Sequence, residues 1–180
     1  MTRRIRRPLL CAFLLAGLLW TAPAAAQSEG IGIGASIGVT NGIGVANGAG
    51  AANPVGLAGK GWLSDRHALA SMTSFFIGSD TQRSYWVIQG DYLFHNFNEL
   101  EVDEGYLAVY LGAGGQFTVV EGTNNQFALR GPVGVDYMLG SAPVDLFVEV
   151  APTLNVTDPT SLRFDGAIGF RYFFSGAGEQ

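Results

Sequence analysis

Residues 162–174, which read LRFDGAIGFRYFF, decide the fold class of this chain. Large apolar side chains occupy every second position, apart from Gly166, whereas the positions between them carry Arg163, Asp165 and Arg171. A period of two is the side-chain period of a β-strand. One face of this strand is therefore apolar, and the other face is charged.

The same alternation runs through the chain from residue 30 onward. Residues 144–156 repeat the design, with apolar residues alternating against Asp145 and Glu149. Polar or turn-rich segments such as 97–104 separate the alternating stretches. The pattern predicts eight strands, at residues 30–39, 55–63, 68–76, 84–96, 106–119, 127–139, 144–156 and 162–174.

Alternation alone does not say which face of each strand points inward. A soluble sandwich or a lipocalin-type barrel would bury the apolar face. However, the interior of an eight-stranded barrel holds only packed side chains, so glycine and alanine scattered among charged residues suit the inside of a small membrane barrel. Charged residues make up only 14% of the chain, whereas soluble domains average about 25%. The sequence therefore predicts an all-β fold, an eight-stranded antiparallel up-and-down transmembrane β-barrel.

Residues 1–26 are typical of a cleaved signal peptide, because four arginines precede an apolar stretch and small residues end at Ala26. A lipoprotein signal acylated at Cys11 is the alternative, but Cys11 precedes most of the apolar stretch. Cleavage leaves residues 27–174 as the barrel and 175–180 as a short tail. Six basic and fifteen acidic residues remain, a formal net charge of −9. This excess argues against a nucleic-acid partner, and loss of the only cysteine excludes thiol chemistry.

The predicted inward faces carry charges of both signs. Confined charges are costly unless they are paired and hydrogen-bonded, so we expect a salt-bridge network that fills the barrel. The alternative is that the same charges line a narrow path for ions. The predicted lumen network, with four bases and four acids besides one histidine, consists of Lys60, Asp91, His95, Arg130, Asp136, Glu149, Arg163, Asp165 and Arg171.

Outward-facing aromatic residues concentrate near the ends of the predicted strands. Transmembrane barrels carry aromatic girdles at both membrane interfaces, whereas aromatics that merely favour strands would scatter along them. With both chain ends in the periplasm, the predicted outer ring contains Trp86, Phe117, Phe127 and Phe164, and the periplasmic ring contains Tyr92, Phe94, Tyr137, Phe170, Tyr172 and Phe174.

The closing stretch, residues 164–174, resembles the C-terminal signal by which the bacterial assembly machinery recognises outer-membrane barrels. Residues 130–134 and 147–152 are similar to segments of short proteobacterial barrels. Residues 27–174 as a whole resemble the small eight-stranded outer-membrane proteins of the OmpA transmembrane-domain, OmpX and OmpW kind. The resemblance implies residence in the bacterial outer membrane, contact with its lipid and assembly through the C-terminal strand. Six residues after Phe174 depart from the family's pattern of ending on an aromatic residue.

The sequence contains no recognisable catalytic constellation, and we expect no catalytic residue, cofactor or metal. The barrel family of lipid A deacylases pairs a histidine with a serine two positions later, and neither His67 nor His95 has that serine. Two histidines, with the only cysteine lost in the signal peptide, give no transition-metal set. A divalent cation could bind the acidic segment containing Glu99, Glu101, Asp103 and Glu104, but a solvated periplasmic turn explains that segment more simply.

These observations predict a non-enzymatic outer-membrane barrel with a charge-paired lumen, acting in envelope structure or surface interaction. A narrow channel or carrier for small solutes is the first alternative. A lipid-modifying barrel enzyme is the second. Nothing in the sequence decides the oligomeric state.

Overall fold

The computed structural model describes residues 30–40, 55–78, 83–102 and 105–174 of the 180-residue chain. The predicted signal peptide and C-terminal tail lie outside these residues. No helix within them is long and apolar enough to cross a membrane. The described residues form nine β-strands: β1 (Ile31–Thr40), β2 (Val55–Ser64), β3 (His67–Phe76), β4 (Tyr85–Val102), β5 (Gly105–Val120), β6 (Gln126–Arg130), β7 (Val133–Leu139), β8 (Val144–Asn155) and β9 (Ser161–Phe174).

The strands close into a ring of antiparallel pairs, in which each strand pairs with its neighbours in sequence except that β6 and β7 do not pair with each other. β1 pairs with β9, from Ile31 opposite Phe174 upward, so the sheet has no free edge. β6 and β7 occupy one place in the ring, because both lie between β5 and β8 in the same register. Gly131 and Pro132 interrupt this strand, yet the Gly131 amide donates to the Pro152 carbonyl at 3.0 Å. The predicted all-β, eight-stranded antiparallel barrel is confirmed.

The stagger of the ring sets the width of the barrel. The row of paired residues that begins at Gly32 on β1 and runs through β2 and each following strand reaches β9 at Arg163. Across the closing seam, however, Gly32 pairs directly with Phe173, which is ten residues after Arg163. Ten residues of stagger over eight strands correspond to a strand tilt of about 40°. An eight-stranded barrel of this kind is just wide enough for side chains to fill.

The alternation read from the sequence appears as an alternation of exposure. Along β8 every second side chain from Asp145 to Asn155 is buried, and those between them are exposed. Apolar residues supply the exposed face, with Val148 at 55% and Ile168 at 59% exposure. The barrel is therefore apolar outside and polar inside, as the sequence predicted.

Three local predictions differ from the structure, all at the end of the barrel where β1 begins and β9 ends. The turn predicted at 97–104 is wrong, because β4 continues to Val102 after a register shift between Asn96 and Leu100. The side chains of the acidic segment there lie outside the described residues. His67 opens β3 instead of lying in a turn. Tyr106 lies on the same predicted strand face as Gln116 and Thr118, which predicts that it points inward, but it is 54% exposed because β5 extends past the filled lumen.

Candidate functional site

The lumen contains every charged residue that the sequence predicted for it. All nine side chains are buried on the inner face, the most exposed being Arg163 at 8%. Together with Asp145, which was not among the nine, they form three groups along the barrel axis, which we call the lower, middle and upper groups, the lower being nearest Ile31 and Phe174. Their members are Lys60, His95, Asp136, Asp145 and Arg171 below, Asp91, Arg130 and Glu149 in the middle, and Arg163 with Asp165 above.

Asp136 is the centre of the lower group. Its carboxylate accepts a hydrogen bond from Arg171 Nη2 at 2.7 Å and from Lys60 Nζ, and His95 Nε2 lies 3.0 Å from it. Arg171 Nε also donates to Asp145 Oδ1 at 2.9 Å. Neither Lys60 nor Asp136 exposes any side-chain surface. Two bases and two acids therefore neutralise one another in a dry site.

Aromatic rings enclose the lower group. Lys60 Nζ lies 4.3 Å from the ring centroid of Trp62, and the Arg171 guanidinium lies 4.3 Å from that of Phe147. Cations over aromatic faces gain further electrostatic stabilisation when water is excluded. The rings thus hold both bases while closing the lumen around them.

Arg130 organises the middle group from the strand β6. Its Nη2 donates to Glu149 Oε1 at 2.5 Å, and its Nη1 lies 3.2 Å from Asp91 Oδ2. Arg130 also donates to the amide oxygen of Gln89. Tyr110 donates its hydroxyl to Glu149 Oε2 at 2.9 Å, while its ring packs against the lower group's histidine. Tyr110 therefore connects the two groups.

The upper group is smaller and shares its level with apolar residues. Arg163 Nε lies 3.2 Å from both carboxylate oxygens of Asp165. Tyr85, Val87 and Val120 form a buried apolar cluster at the same end of the barrel. This end of the lumen combines one ion pair with an apolar wall.

Asp145 is the lumen residue that the sequence analysis left out. It is 1% exposed and pairs with Arg171, so the described lumen holds four bases and five carboxylates. The predicted balance of four and four is therefore wrong. The sequence does indicate this position, because Asp145 is four residues before Glu149 on the same strand, and residues at an even spacing share one face of a strand.

The predicted girdle residues all project from the outer face, in two bands near the barrel ends. Trp86 and Phe94 are eight residues apart on β4, which at a tilt of about 40° separates the bands by about 20 Å. Each band includes a polar anchor on the outer face. Trp86 Nε1 donates to Thr73 Oγ1 at 2.7 Å, and the Tyr92 hydroxyl hydrogen-bonds His67 Nδ1.

The described residues contain no group of three histidine, cysteine or acidic side chains that could hold a metal ion. His95 lies inside the barrel, whereas His67 contacts Tyr92 and Phe94 on its outer face. The two histidines thus lie on opposite sides of the barrel wall. The lumen geometry is that of a charge-paired packing core.

Comparison with known proteins identifies the fold and nothing finer. No protein-family model matches the sequence, and no curated protein matches it. Among solved structures, the N-terminal β-barrel domain of Pseudomonas aeruginosa OprF is similar at 11% identity and a TM-score of 0.58, covering 81% of this chain and 98% of that domain. Ail, the attachment invasion locus protein of Yersinia pestis, is similar at 12% identity and a TM-score of 0.44, covering 81% and 99%. This chain has the barrel fold of the OprF domain.

Proposed function

We propose that this chain is an outer-membrane barrel protein that acts in envelope structure or surface interaction, with a lumen closed by ion pairs and no catalytic activity. One observation carries the proposal. Apolar side chains cover the outside of a closed barrel whose inside holds nine buried charged residues. Water would favour the opposite arrangement, because apolar patches beyond a few hundred Å² are rare on soluble monomers.

The dimensions of the apolar surface support a lipid environment. Transmembrane barrels carry an apolar band about 25 Å tall between aromatic girdles. The bands of Trp86 and Phe94 are separated by a similar distance, and Val148, Val150 and Ile168 lie exposed between the two ends. The aromatic residues of both bands are proposed to sit at the two membrane interfaces.

The closed lumen supports a structural role over transport. The ion pairs of the lower group are dry, and Tyr110 joins them to the middle group. Separating such pairs leaves uncompensated buried charges. Passage of a solute would require several of these contacts to break together.

Export and assembly complete the proposal. The signal-like residues 1–26 would direct the chain out of the cytoplasm, and outer-membrane lipid would be its principal partner. The C-terminal strand, whose Phe174 pairs with Ile31 at the closing seam, would engage the barrel assembly machinery. The structural similarity to the OprF barrel domain is compatible with this location.

Gel mobility of the membrane fraction with and without boiling tests the membrane barrel. A closed transmembrane barrel resists SDS when cold, so we expect a shift in mobility only after heating, and extraction only with detergent. Recovery of the folded protein from the periplasm without detergent would overturn the proposal.

Conductance across planar lipid bilayers tests the closed lumen. We expect the purified barrel to give no steady unitary conductance, and Arg130→Ala to open a small one by removing the base that Asp91 and Glu149 share. A steady conductance in the unmodified protein would favour the channel alternative. Altered lipid A profiles in overexpressing cells would favour the enzymatic alternative instead.

A further inference from the structure

We propose that the barrel wall has one place built to open sideways, between the β6/β7 position of the ring and β8, and that the Arg130–Glu149 ion pair holds it closed from the inside. We call the pairing of residues 130–134 with residues 149–153 the proline seam, and the ion pair the latch. The proposal concerns the wall of the closed barrel and does not depend on the role proposed for the protein.

Backbone pairing is interrupted within the proline seam. β6 pairs with β8 as far as Arg130, and β7 resumes the pairing at Val133. Between them, the Gly131 amide donates to the Pro152 carbonyl at 3.0 Å. A hydrogen-bonded pair in an antiparallel ladder normally exchanges two bonds, but Pro152 has no N–H to donate to the Gly131 carbonyl. This pair therefore keeps one of its two bonds.

A second proline weakens the ladder on the other side of the same strand. The Gly112 amide of β5 donates to the Pro132 carbonyl at 2.7 Å, but Pro132 cannot donate in return. Pro132 directly follows Gly131, so the two missing bonds lie at one level of the wall. Inside a bilayer no water is present to replace such bonds. The wall is therefore weakest where these two prolines meet.

The other ladders of the described wall keep their pairing at this level. β8 and β9 pair without a gap from Val144 to Asn155, and the ladders that join β1 to β2, β1 to β9 and β3 to β4 are also continuous. The register shifts after Trp62 in β2 and after Asn96 in β4, but both positions are at the lower end. The proline seam is thus an exception within the described wall.

Side chains add little packing at the interruption. On the inner face, Ala151 of β8 lies opposite Pro132, and Gly112 lies beside Pro132 on β5. On the outer face, Gly131 contributes no side chain, and a Cβ built there would come no closer than 3.8 Å to a neighbour. Small residues on both faces therefore leave the missing backbone bonds without compensation from the wall itself.

The latch crosses the proline seam on its inner side. Arg130 is two residues before Pro132, and Glu149 is two residues before Ala151, so the ion pair spans the level at which Pro132 and Ala151 face each other. Arg130 Nη2 lies 2.5 Å from Glu149 Oε1, and the Tyr110 hydroxyl of β5 donates to the other carboxylate oxygen. Hydrogen bonds between charged groups are about twice as strong as neutral ones. The latch therefore supplies from the lumen the connection that the prolines remove from the wall.

Firm contacts limit the opening to the proline seam. Below it, Arg171 donates to Asp136 of β7 and to Asp145 of β8. Above it, the Val156 amide donates to the Phe127 carbonyl at 2.9 Å. Opening of the seam would therefore connect the middle group with the surroundings of the barrel while both ends of the ring stay closed.

Residue-resolved amide hydrogen exchange of the folded barrel in detergent micelles tests the proline seam. Because the Pro152 carbonyl faces β6 and β7, the Val150 amide also faces the seam, whereas the Ala151 amide faces β9. After correction for intrinsic rates, we expect the Val150 amide to exchange about tenfold faster than the Ala151 amide, the factor that corresponds to one net hydrogen bond. Pro152→Ala supplies the missing N–H and should slow exchange at Val150 by a similar factor.

A charge substitution in the lumen tests the latch. Glu149→Gln keeps the side-chain shape and leaves Arg130 paired with Asp91, so no buried charge loses its counter-ion. We expect it to speed exchange at the Val150 amide by about tenfold, because a charged hydrogen bond becomes a neutral one. Asp165→Asn is the matched control, since it removes an ion-pair partner within β9 and should leave the ratio of the Val150 and Ala151 rates unchanged.

The outcomes separate the two parts of the proposal. Equal protection of the Val150 and Ala151 amides in the unmodified protein would overturn the proline seam, and this measurement needs no variant to fold. A folded Glu149→Gln barrel in which both amides change by the same factor would overturn the latch. Preferential exchange at Val150 that Pro152→Ala suppresses and Glu149→Gln increases would establish both.

Discussion

Replacement of Asp136 by asparagine tests the view that the lower group holds the barrel shut. Asp136→Asn keeps the side-chain shape but removes the charge that Lys60 and Arg171 share. The two bases would then depend on Asp145 alone, with Lys60 Nζ at 3.6 Å and Arg171 Nε at 2.9 Å from its oxygens. One buried positive charge would have no counter-ion.

The expected cost follows from the burial of these groups. Removing one partner of a buried ion pair destabilises proteins by about 3–5 kcal/mol, because the remaining charge cannot be solvated. Lys60 and Asp136 have no side-chain exposure, so the full penalty applies. We expect Asp136→Asn to lower the free energy of unfolding by about 4 kcal/mol. Adding Lys60→Met restores neutrality within the group and should recover about half of that loss.

Urea unfolding in detergent micelles, followed by far-ultraviolet circular dichroism, measures these differences. Asp65→Asn is the matched control, since the same substitution in an exposed turn should change the free energy of unfolding by less than about 0.5 kcal/mol. A loss below about 1 kcal/mol for Asp136→Asn would refute the reasoning. So would a double variant that is less stable than Asp136→Asn itself.

Two other predictions concern the outer face and the packing of Tyr110. Ile168→Lys, midway along an exposed apolar strand face, should destabilise the barrel by about 2–4 kcal/mol in lipid vesicles, whereas Leu162→Lys at the strand end should cost at most about 1 kcal/mol. Equal costs at the two positions would contradict a membrane-spanning belt. Gly134→Ala should cost about 1–3 kcal/mol on urea unfolding, because its new Cβ would lie 2.4 Å from the Tyr110 ring and hydroxyl. A Cβ added at Gly61 would have no atom within 4 Å, so Gly61→Ala should leave the free energy of unfolding unchanged. If Gly61→Ala were the more destabilising of the two, the Tyr110 side chain would be able to move aside from the new Cβ at little cost.

Most of the fold could be predicted because a single periodicity determines it. In a barrel of this width each strand separates the filled lumen from the outer surface. The odd or even position of a residue along its strand therefore assigns Glu149 to the lumen and Val148 to the outside. The weakly patterned strand β3 takes its place from its neighbours, since it pairs with β2 and β4 along its whole length. Closure of the ring leaves little freedom for one strand to slip.

The errors fall where parity carries no information. Where β5 leaves the filled lumen, Tyr106 is exposed although it alternates in step with the buried Ala108 and Tyr110, so the two-residue alternation no longer assigns the faces of the strands at this end. The extent of β4 therefore cannot be read from polarity. The choice of partners inside the lumen is also invisible to parity. That Arg171 pairs with Asp145 and Asp136 depends on side chains reaching across strands, and no sequence spacing specifies this.

The seam between β1 and β9 governs how the chain can fold. Ile31 and Phe174 are partners although nearly the whole barrel sequence separates them. Pairing over such a distance is slow, because the chain loses the conformational entropy of closing a long loop before the contacts that stabilise the closed state can form. Until that pairing forms, every intermediate sheet has two unsatisfied edges beside an apolar face, a template for aggregation. Synthesis of the last residues of β9 is therefore the event that permits closure, and truncation of that strand should leave an aggregating chain rather than a smaller barrel.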